Sequence, residues 1–274
     1  KGVLSTQRAV CQALFNIDFI AALSAMLSPQ AVARLMQSGL APTTLSAVPL
    51  FHVSGLHAQL LNSLRNGRRL VFMHRWSAAQ ALDLIRSETI TVFNGAPSMV
   101  MQLMSELGSA VKDSIRSLSA IGFGGAGLPQ RVIEDVMGRM PDSMSGIGFG
   151  LTETNGVGSA CSGALFMRKP RSSGVVSPIM QIRIVDAEGN ELPRGEAGEV
   201  CLRGVSVMQG YWRNPQASAE ALRDGWFHTG DIGYVDDENF LFIVDRLKDV
   251  INRSGVKIAA AEVESCLLLH PEVD

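Results

Sequence analysis

Within one short stretch, Phe149-Gly150-Leu151-Thr152-Glu153-Thr154, the chain sets an aromatic ring, a glycine turn, a hydroxyl and a carboxylate side by side. Such a set can cover a flat base with Phe149, bond a phosphate oxygen with Thr152 and hold Mg2+ through Glu153, since that ion takes hard oxygen ligands. An ordinary turn with a capping threonine would use the same residue types. Farther on, Trp226-Phe227-His228-Thr229-Gly230-Asp231 precedes an expected hairpin, which suits an Asp231 that points two oxygens at a vicinal diol such as ribose; a solvated turn aspartate is the alternative. His52, in Pro49-Leu50-Phe51-His52, follows an apolar run and either titrates near neutrality or fills a pocket mouth.

Gly122-Phe123-Gly124-Gly125-Ala126-Gly127 matches the GxGxxG pattern, with Asp142 about 20 residues on, as in a dinucleotide fold. In that fold the helix opens inside the glycine loop, so that its N-terminus meets the pyrophosphate. Here Leu128-Pro129 puts the helix start after all three glycines, and Asp142 falls in a Pro-Asp-Ser loop. A glycine wall against a flat ring, or a purely structural turn, fits these residues better. The sequence contains no Ser-His-Asp order, no HExxH and no Walker A lysine loop, which removes the hydrolase and P-loop readings.

These residues need a scaffold, and the hydrophobic pattern supplies one. Short β-rich apolar runs at Arg69–Met73, Ile90–Asn94, Leu118–Phe123 and Ser145–Phe149 alternate with helical periodicity at Ser77–Glu88, Ser98–Leu107 and Pro129–Met140. Ser77 is placed to cap the first of these helices and Pro129 sits at the first position of the last. Strand, helix and strand in turn predict an α/β fold with a parallel sheet and flanking helices. Ligands of such sheets bind beyond the carboxyl ends of the strands. Three strands end in Asn94-Gly95-Ala96-Pro97, Gly124-Gly125-Ala126-Gly127 and Gly150-Leu151-Thr152-Glu153-Thr154. If those strands are neighbours, the three loops line one crevice.

After about Gly174 the pattern turns to short alternating strands joined by polar turns, Gln181–Val185 with Glu199–Arg203 and Gly233–Val235 with Phe240–Val244. They read as antiparallel hairpins or a small barrel-like subdomain. The charged run Asp245-Arg246-Leu247-Lys248-Asp249 then separates them from a last helix near Ala260–Leu269. The division expected is a large domain over 1–246, and a hinge with the beginning of a small α+β domain over 247–274.

The chain has 274 residues, 46% of them apolar, so a sizeable core is available and disordered or fibrous classes are excluded. Its 24 Lys plus Arg against 26 Asp plus Glu lack the basic excess of a nucleic-acid binder. Cys11, Cys161, Cys201 and Cys266 lie far apart, without zinc or redox CxxC spacing, and read as reduced thiols of a cytoplasmic protein. The most apolar stretch, Ala13–Leu27, is interrupted by Asn16 and Asp18 and is read as too short to span a membrane, which leaves room only for peripheral contact.

Taken in order along the whole chain, these segments resemble the adenylate-forming enzymes, the family of acyl-CoA synthetases, aryl-CoA ligases, firefly luciferase and peptide-synthetase adenylation domains. Lys1-Gly2 is similar to the end of the family's phosphate loop, Pro49 to His52 to its acyl-site segment, and Gly124 to Gly127 to its adenine-side loop. Phe149-Gly150-Leu151-Thr152-Glu153 resembles the aromatic-Gly-x-Thr-Glu signature. Gly198-Glu199-Val200-Cys201-Leu202-Arg203-Gly204, His228-Thr229-Gly230-Asp231 and Asp245-Arg246-Leu247-Lys248-Asp249 follow in the family's order, and Ser254-Gly255 with Ala261 to Glu264 resembles the start of the small domain.

The resemblance implies ATP, Mg2+ and coenzyme A as reactants or cofactors and a carboxylic acid as substrate. A carboxylate attacks the α-phosphorus of ATP to give acyl-adenylate and pyrophosphate, and a thiol then displaces AMP. It further implies that Gly124, Gly125, Ala126, Phe149 and Gly150 surround adenine, that Thr152 touches phosphate, that Glu153 holds Mg2+, and that Asp231 with Arg246 holds ribose. His52 would gate the acyl pocket, Gly95, Ala96 and Pro97 would line it, Lys248 would be the pivot and Gly255 would border the thiol channel.

There are departures. The phosphate loop upstream of Lys1 and the family's C-terminal lysine are not in this sequence, and Asn252 stands where many relatives carry a lysine. Removing one such transition-state donor typically costs about 3 to 4 kcal/mol, so the chain alone is expected to be nearly inactive, a fragment of a synthetase. An apolar acid, with a fatty acid foremost, is expected from His52 and the helix bearing Met99, Met101 and Met104, although such a stripe equally suits plain core. The alternatives are a peptide-synthetase adenylation domain and a non-catalytic nucleotide- or partner-binding remnant.

Overall fold

The computed structural model describes residues 1–107, 115–124, 130–141, 143–247, 249, 251–253, 256–258, 260–267 and 270. A short strand β1 (Val3–Leu4) leads into α1 (Gln7–Leu27) and α2 (Pro29–Gln37). The Thr6 hydroxyl accepts from Ala9 N at 3.0 Å to cap α1, and Pro29 opens α2, where no donor is needed. Then come β2 (Thr43–Ser46), a π-helical segment Ser54–Leu61 continuing as α3 (Asn62–Arg65), β3 (Arg69–Phe72), α4 (Ala78–Ser87), β4 (Val92–Gly95), α5 (Pro97–Leu107) and β5 (Ala120–Gly124). Ser77 caps α4, as its position predicts. A helix Gln130–Arg139 leads to β6 (Gly146–Phe149), β7 (Ser159–Ser162) and β8 (Val175–Val176).

Strands β2 to β8 form one sheet in the order β3-β2-β4-β5-β6-β7-β8. The first four pairings are parallel, and β7 and β8 close the edge antiparallel. The four expected strands exist as β3 to β6, and the last three are consecutive neighbours; β2, which the sequence pattern did not reveal, lies between β3 and β4. Leu45, Ile85, Phe93, Val100, Leu103 and Ile121 are fully buried between this sheet and its helices. Met104 joins that core, and Met99 and Met101 pack against it, so the methionine stripe is spent on packing.

The second part is antiparallel throughout: β9 (Met180–Val185), β10 (Gly198–Gly204), β11 (Gly210–Tyr211), β12 (Leu222–Arg223), β13 (Trp226–Val235) and β14 (Leu241–Arg246). Its main sheet runs β12-β13-β10-β9, with β14 also on β13, while β11 pairs with β1. Both polar turns are built by an aspartate: Asp186 Oδ1 accepts from the backbone N–H of Glu188 and Asn190, and Asp236 Oδ1 from those of Glu238 and Phe240. Val200, Leu202, Phe227 and Leu241 centre a second core. The hairpin β15 (Ile251–Arg253) and β16 (Val256–Ile258) and the helix Ala260–Leu267 follow.

Two expectations change. His228 to Asp231 does not precede a hairpin but lies inside the ten-residue β13, because pairing with β10 carries that strand back to Phe227 and pairing with β12 to Trp226. And Ala13–Leu27 is only part of a 21-residue helix that is, by length and composition, apolar enough to cross a membrane. The reading from Ala13 stopped short because the cap at Thr6 starts the helix earlier. Only 17% of its most apolar window is buried, with Phe15, Phe19 and Met26 exposed. In this fold its polar residues tie it down: Asn16 donates to Ser177 Oγ at 3.1 Å, and Asp18 pairs with Arg65 at 2.7 Å.

Phe93 stacks on Trp76 at 5.3 Å and lies directly beneath Gly95, where an added Cβ would meet its ring at 2.8 Å. Replacing it with alanine removes a fully buried ring under the strand end, and urea unfolding should register a loss of about 3 to 5 kcal/mol. A loss below about 1 kcal/mol would mean that this core does not carry the sheet.

Candidate functional site

Because β2, β4, β5 and β6 are parallel neighbours, their carboxyl ends emerge on one edge of the sheet. That edge carries, in order, the His52 segment, Gly95-Ala96-Pro97, Gly124, and the loop from Gly150. Register alone thus brings the starts of the three loops expected to line a crevice to one edge. Gly95 closes β4 and Pro97 starts α5, so this loop is one residue long. Gln59, buried in the π-helical segment, donates to Asn94 O at 3.2 Å and ties that segment to β4.

The loop after β6 is a single 3-10 turn, Thr152–Thr154, locked from both sides. Thr154, fully buried, accepts from Leu151 N at 3.1 Å, which makes it the capping threonine. Its work leaves Thr152 exposed and Glu153 half-buried. Gly150 has no alternative: a Cβ there would lie 2.4 Å from Gly156 backbone. The loop is stitched to the second part of the fold by Met208 N donating to Glu153 O at 2.7 Å and by Asn155 Nδ2 donating to Ser206 O at 2.8 Å. Phe149, at the end of β6, is half-buried against the second core.

Glu153 is held by a residue that sequence reading missed. Tyr211 donates its phenol to Glu153 Oε1 at 2.7 Å, while Oε2 has no partner among the described residues. Tyr211 pairs with Val3 across the β1–β11 ladder, and Lys1 Nζ lies 4.8 Å from its ring centre. One tyrosine therefore links the start of the chain to the carboxylate. The two residues are 58 apart in sequence, and no local pattern joins them. Burial, then the bond and the charge of Glu153, push the Tyr211 phenol well above its ordinary range.

Asp231 is the most confined charge in the site, its side chain 4% exposed beside an Arg246 that is 65% exposed. Arg246 Nε donates to Asp231 Oδ1 at 3.0 Å, across the β13–β14 pairing of these same two residues. Oδ2 is buried without a hydrogen-bond partner among the described residues. Burial raises the Asp231 pKa above the usual carboxylate range; Arg246 opposes this, and the charges of Glu153 and Glu199 add to it. The Glu153 carboxylate, on the loop after β6, thus adds to the negative field at Asp231.

His52 is exposed at the start of the π-helical segment, its Nδ1 3.5 Å from Ser54 Oγ. The histidine held inside is His57, whose Nδ1 donates to Asn155 O at 3.2 Å and so braces the Glu153 loop from below. Gly125, Ala126, Lys248 and Gly255, and the comparison residue Asp142, lie outside the described residues.

Among the described residues, one group has the makings of a metal site: Glu199, Cys201 and His228, with ligand atoms all within 4.8 Å of one another. Burial first, and then the charge of Glu199, push the Cys201 thiol up to about 11, so it is neutral near pH 7. Arg183 is its cross-strand neighbour, and Arg223 pairs with Glu199 at 3.4 Å. A protonated thiol between two guanidinium groups makes a hydrogen-bond network, not a cation site.

The sequence pattern that defines the AMP-binding enzymes matches residues 1–212. The chain belongs to this family of adenylate-forming enzymes. It is 35% identical to 4-coumarate–CoA ligase 3 of rice, Oryza sativa subsp. japonica, over 234 residues that cover 84% of this chain and 42% of that protein. Among solved structures it is similar to o-succinylbenzoate CoA synthetase of Bacillus subtilis in complex with the acyl-adenylate intermediate OSB-AMP, with a TM-score of 0.81 and 30% identity, covering 99% of this chain and 51% of the other. The same synthetase with ATP and magnesium ion matches with a TM-score of 0.74 and 32% identity over 88% of this chain and 50% of the other. The chain spans about half the length of these relatives.

The chain has two tyrosines, Tyr211 and Tyr234. Since the folded phenol of Tyr211 is raised, stability from its bond to Glu153 is full below the unfolded pKa of about 10 and is lost as pH rises beyond it. A spectrophotometric titration should show one tyrosine ionising late, and Tyr211→Phe should remove that late step. Retention of the late step in Tyr211→Phe would contradict the assignment of the raised phenol to Tyr211.

Proposed function

We propose that this chain forms the nucleotide-binding part of an ATP-dependent acid–CoA ligase. The observation that carries the reading is Asp231, a buried carboxylate with one oxygen bound to Arg246 and the other unpartnered among the described residues. A neighbouring pair of hydroxyls on a ribose is the ligand that would satisfy it. Phe149, Gly150 and the Gly124-Gly125-Ala126 run would bound the base, and Thr152, exposed at the loop tip, would bond phosphate.

Glu153 fits Mg2+ in its chemistry: a hard carboxylate oxygen, Oε2, has no partner among the described residues while Tyr211 fixes the other. When bound, the ion would neutralise phosphate charge and favour departure of pyrophosphate. In the first step a substrate carboxylate oxygen forms a bond to the α-phosphorus as the bond to the β-phosphate oxygen breaks. In the second a thiol sulfur attacks the acyl carbon and AMP leaves, giving the thioester. Asp231 and Arg246 would hold the ribose through both steps. Lys248 is proposed as the pivot between them, with Gly255 at the thiol channel, and residues 247–274 as hinge and opening of the second domain.

For the acid, the proposal is an apolar carboxylic acid bounded by His52, Gly95, Ala96 and Pro97. The name of the rice relative, a 4-coumarate ligase, supports an aromatic acid over the fatty acid expected from the methionine helix, because those methionines are committed to the core.

Isothermal titration of AMP into the chain should give saturable binding that Asp231→Ala weakens at least tenfold. Titrated with ATP, the wild type should bind more tightly with Mg2+ than without, and Glu153→Gln should erase that difference. Unchanged AMP affinity in Asp231→Ala would overturn the ribose role, and an undiminished Mg2+ effect in Glu153→Gln the metal role.

A further inference from the structure

The stretch of β13 that presents Asp231 is not a regular strand. Glu199 pairs with Ile232 and Cys201 with His228, so the single residue Val200 on β10 faces Thr229, Gly230 and Asp231 on β13. A second irregularity lies between Ile232 and Gly233 in the pairing with β14. Extra residues of this kind bend a strand and re-aim its side chains. Gly230, at φ +72°, takes the left-handed turn that the bulge requires.

A bulge forfeits ladder hydrogen bonds, and here one side chain replaces them. Glu199 Oε1 accepts from Gly230 N at 3.2 Å, and Glu199 Oε2 accepts from His228 Nδ1 at 2.8 Å. The carboxylate therefore grips the bulge at two points. Thr229 adds a third, donating to Val200 O at 2.8 Å and accepting from Asp231 N at 3.0 Å. Cys201 Sγ, 3.3 Å from His228 Nδ1, closes the network from within. Arrayed along one bulge, these bonds have a common effect, which is to fix where the Asp231 carboxylate stands.

We infer that Glu199 is a positioning residue for nucleotide recognition: it clamps the bulge at His228 and Gly230 so that Asp231 meets the ribose diol. The inference rests on the ribose role of Asp231 proposed above and extends it to a group that does not itself touch the ligand. Holding Glu199 near Asp231 sets two carboxylates close together, and Glu199 contributes to the raised Asp231 pKa. Arg246 on one carboxylate and Arg223 on the other offset that repulsion.

The experiment compares AMP with 2′,3′-dideoxy-AMP, which lacks the diol, by isothermal titration into the wild-type chain, Glu199→Ala and Glu199→Gln. The wild type should prefer AMP at least tenfold. Glu199→Ala should lose that preference by weakening AMP alone, and Glu199→Gln should retain most of it, since its amide oxygen still accepts from Gly230. A general structural role would weaken both ligands together. If Glu199→Ala fails to fold, Glu199→Asp, one methylene too short to reach Gly230, should lose the preference in the same way. An AMP preference unchanged in the alanine or aspartate variant overturns the positioning role alone. A wild type that does not distinguish the two ligands overturns the ribose role, and this inference with it.

Discussion

Burying a carboxylate and leaving one of its oxygens without a partner is expensive, on the order of 1 to 3 kcal/mol for an unsatisfied polar group and more when it is charged. Asp231 accepts that cost at the bulged middle of strand β13. The neighbouring structure does not relieve it. A bulge on one side, a register shift on the other and the Glu199 clamp hold the group where Arg246 reaches only one oxygen. Local strain kept in place by surrounding bonds is the mark of a site arranged for a ligand, and the rest of the molecule can be understood as what brings other groups to face it.

Two different structural rules meet at that point. The parallel sheet delivers its loops by register: β2, β4, β5 and β6 run the same way and must release their chains at the same edge. The antiparallel sheet delivers Asp231 and Arg246 as direct cross-strand partners. Beside the site the sheets are joined by Met208 to Glu153, Asn155 to Ser206 and Tyr211 to Glu153, with β1 pairing with β11, and farther off by the Val175–Phe240 bridge and the pairing of Lys169 with Asp236. The catalytic carboxylate expected at Glu153 is thus also a seam between the two halves.

How legible this was depended on the range of each interaction. Strands and helices of the parallel half follow local periodicity, and capping at Ser77 and the aspartate turns at Asp186 and Asp236 are local chemistry, so they could be read directly. That the loops after β4, β5 and β6 leave one edge followed from one general rule about strand ends. What could not be read were contacts between distant residues: Tyr211 on Glu153, His57 on Asn155, Glu199 on Gly230. Strand β13 was read as starting too late for a related reason, since its first residues are defined by their partners on β10 and β12 and not by alternation of their own. Helix α1 was underestimated because polar residues within it were taken as breaks, although Asn16 and Asp18 point to partners on other elements.

The central claim is that both sheets converge on one nucleotide pocket, and a crystal structure of the chain grown with AMP addresses it directly. The account requires electron density for AMP at the carboxyl edge of the parallel sheet, with the base against Phe149 and both ribose hydroxyls within hydrogen-bond distance of Asp231. AMP bound elsewhere on the chain, or lying in that crevice with its ribose turned away from Asp231, would contradict it.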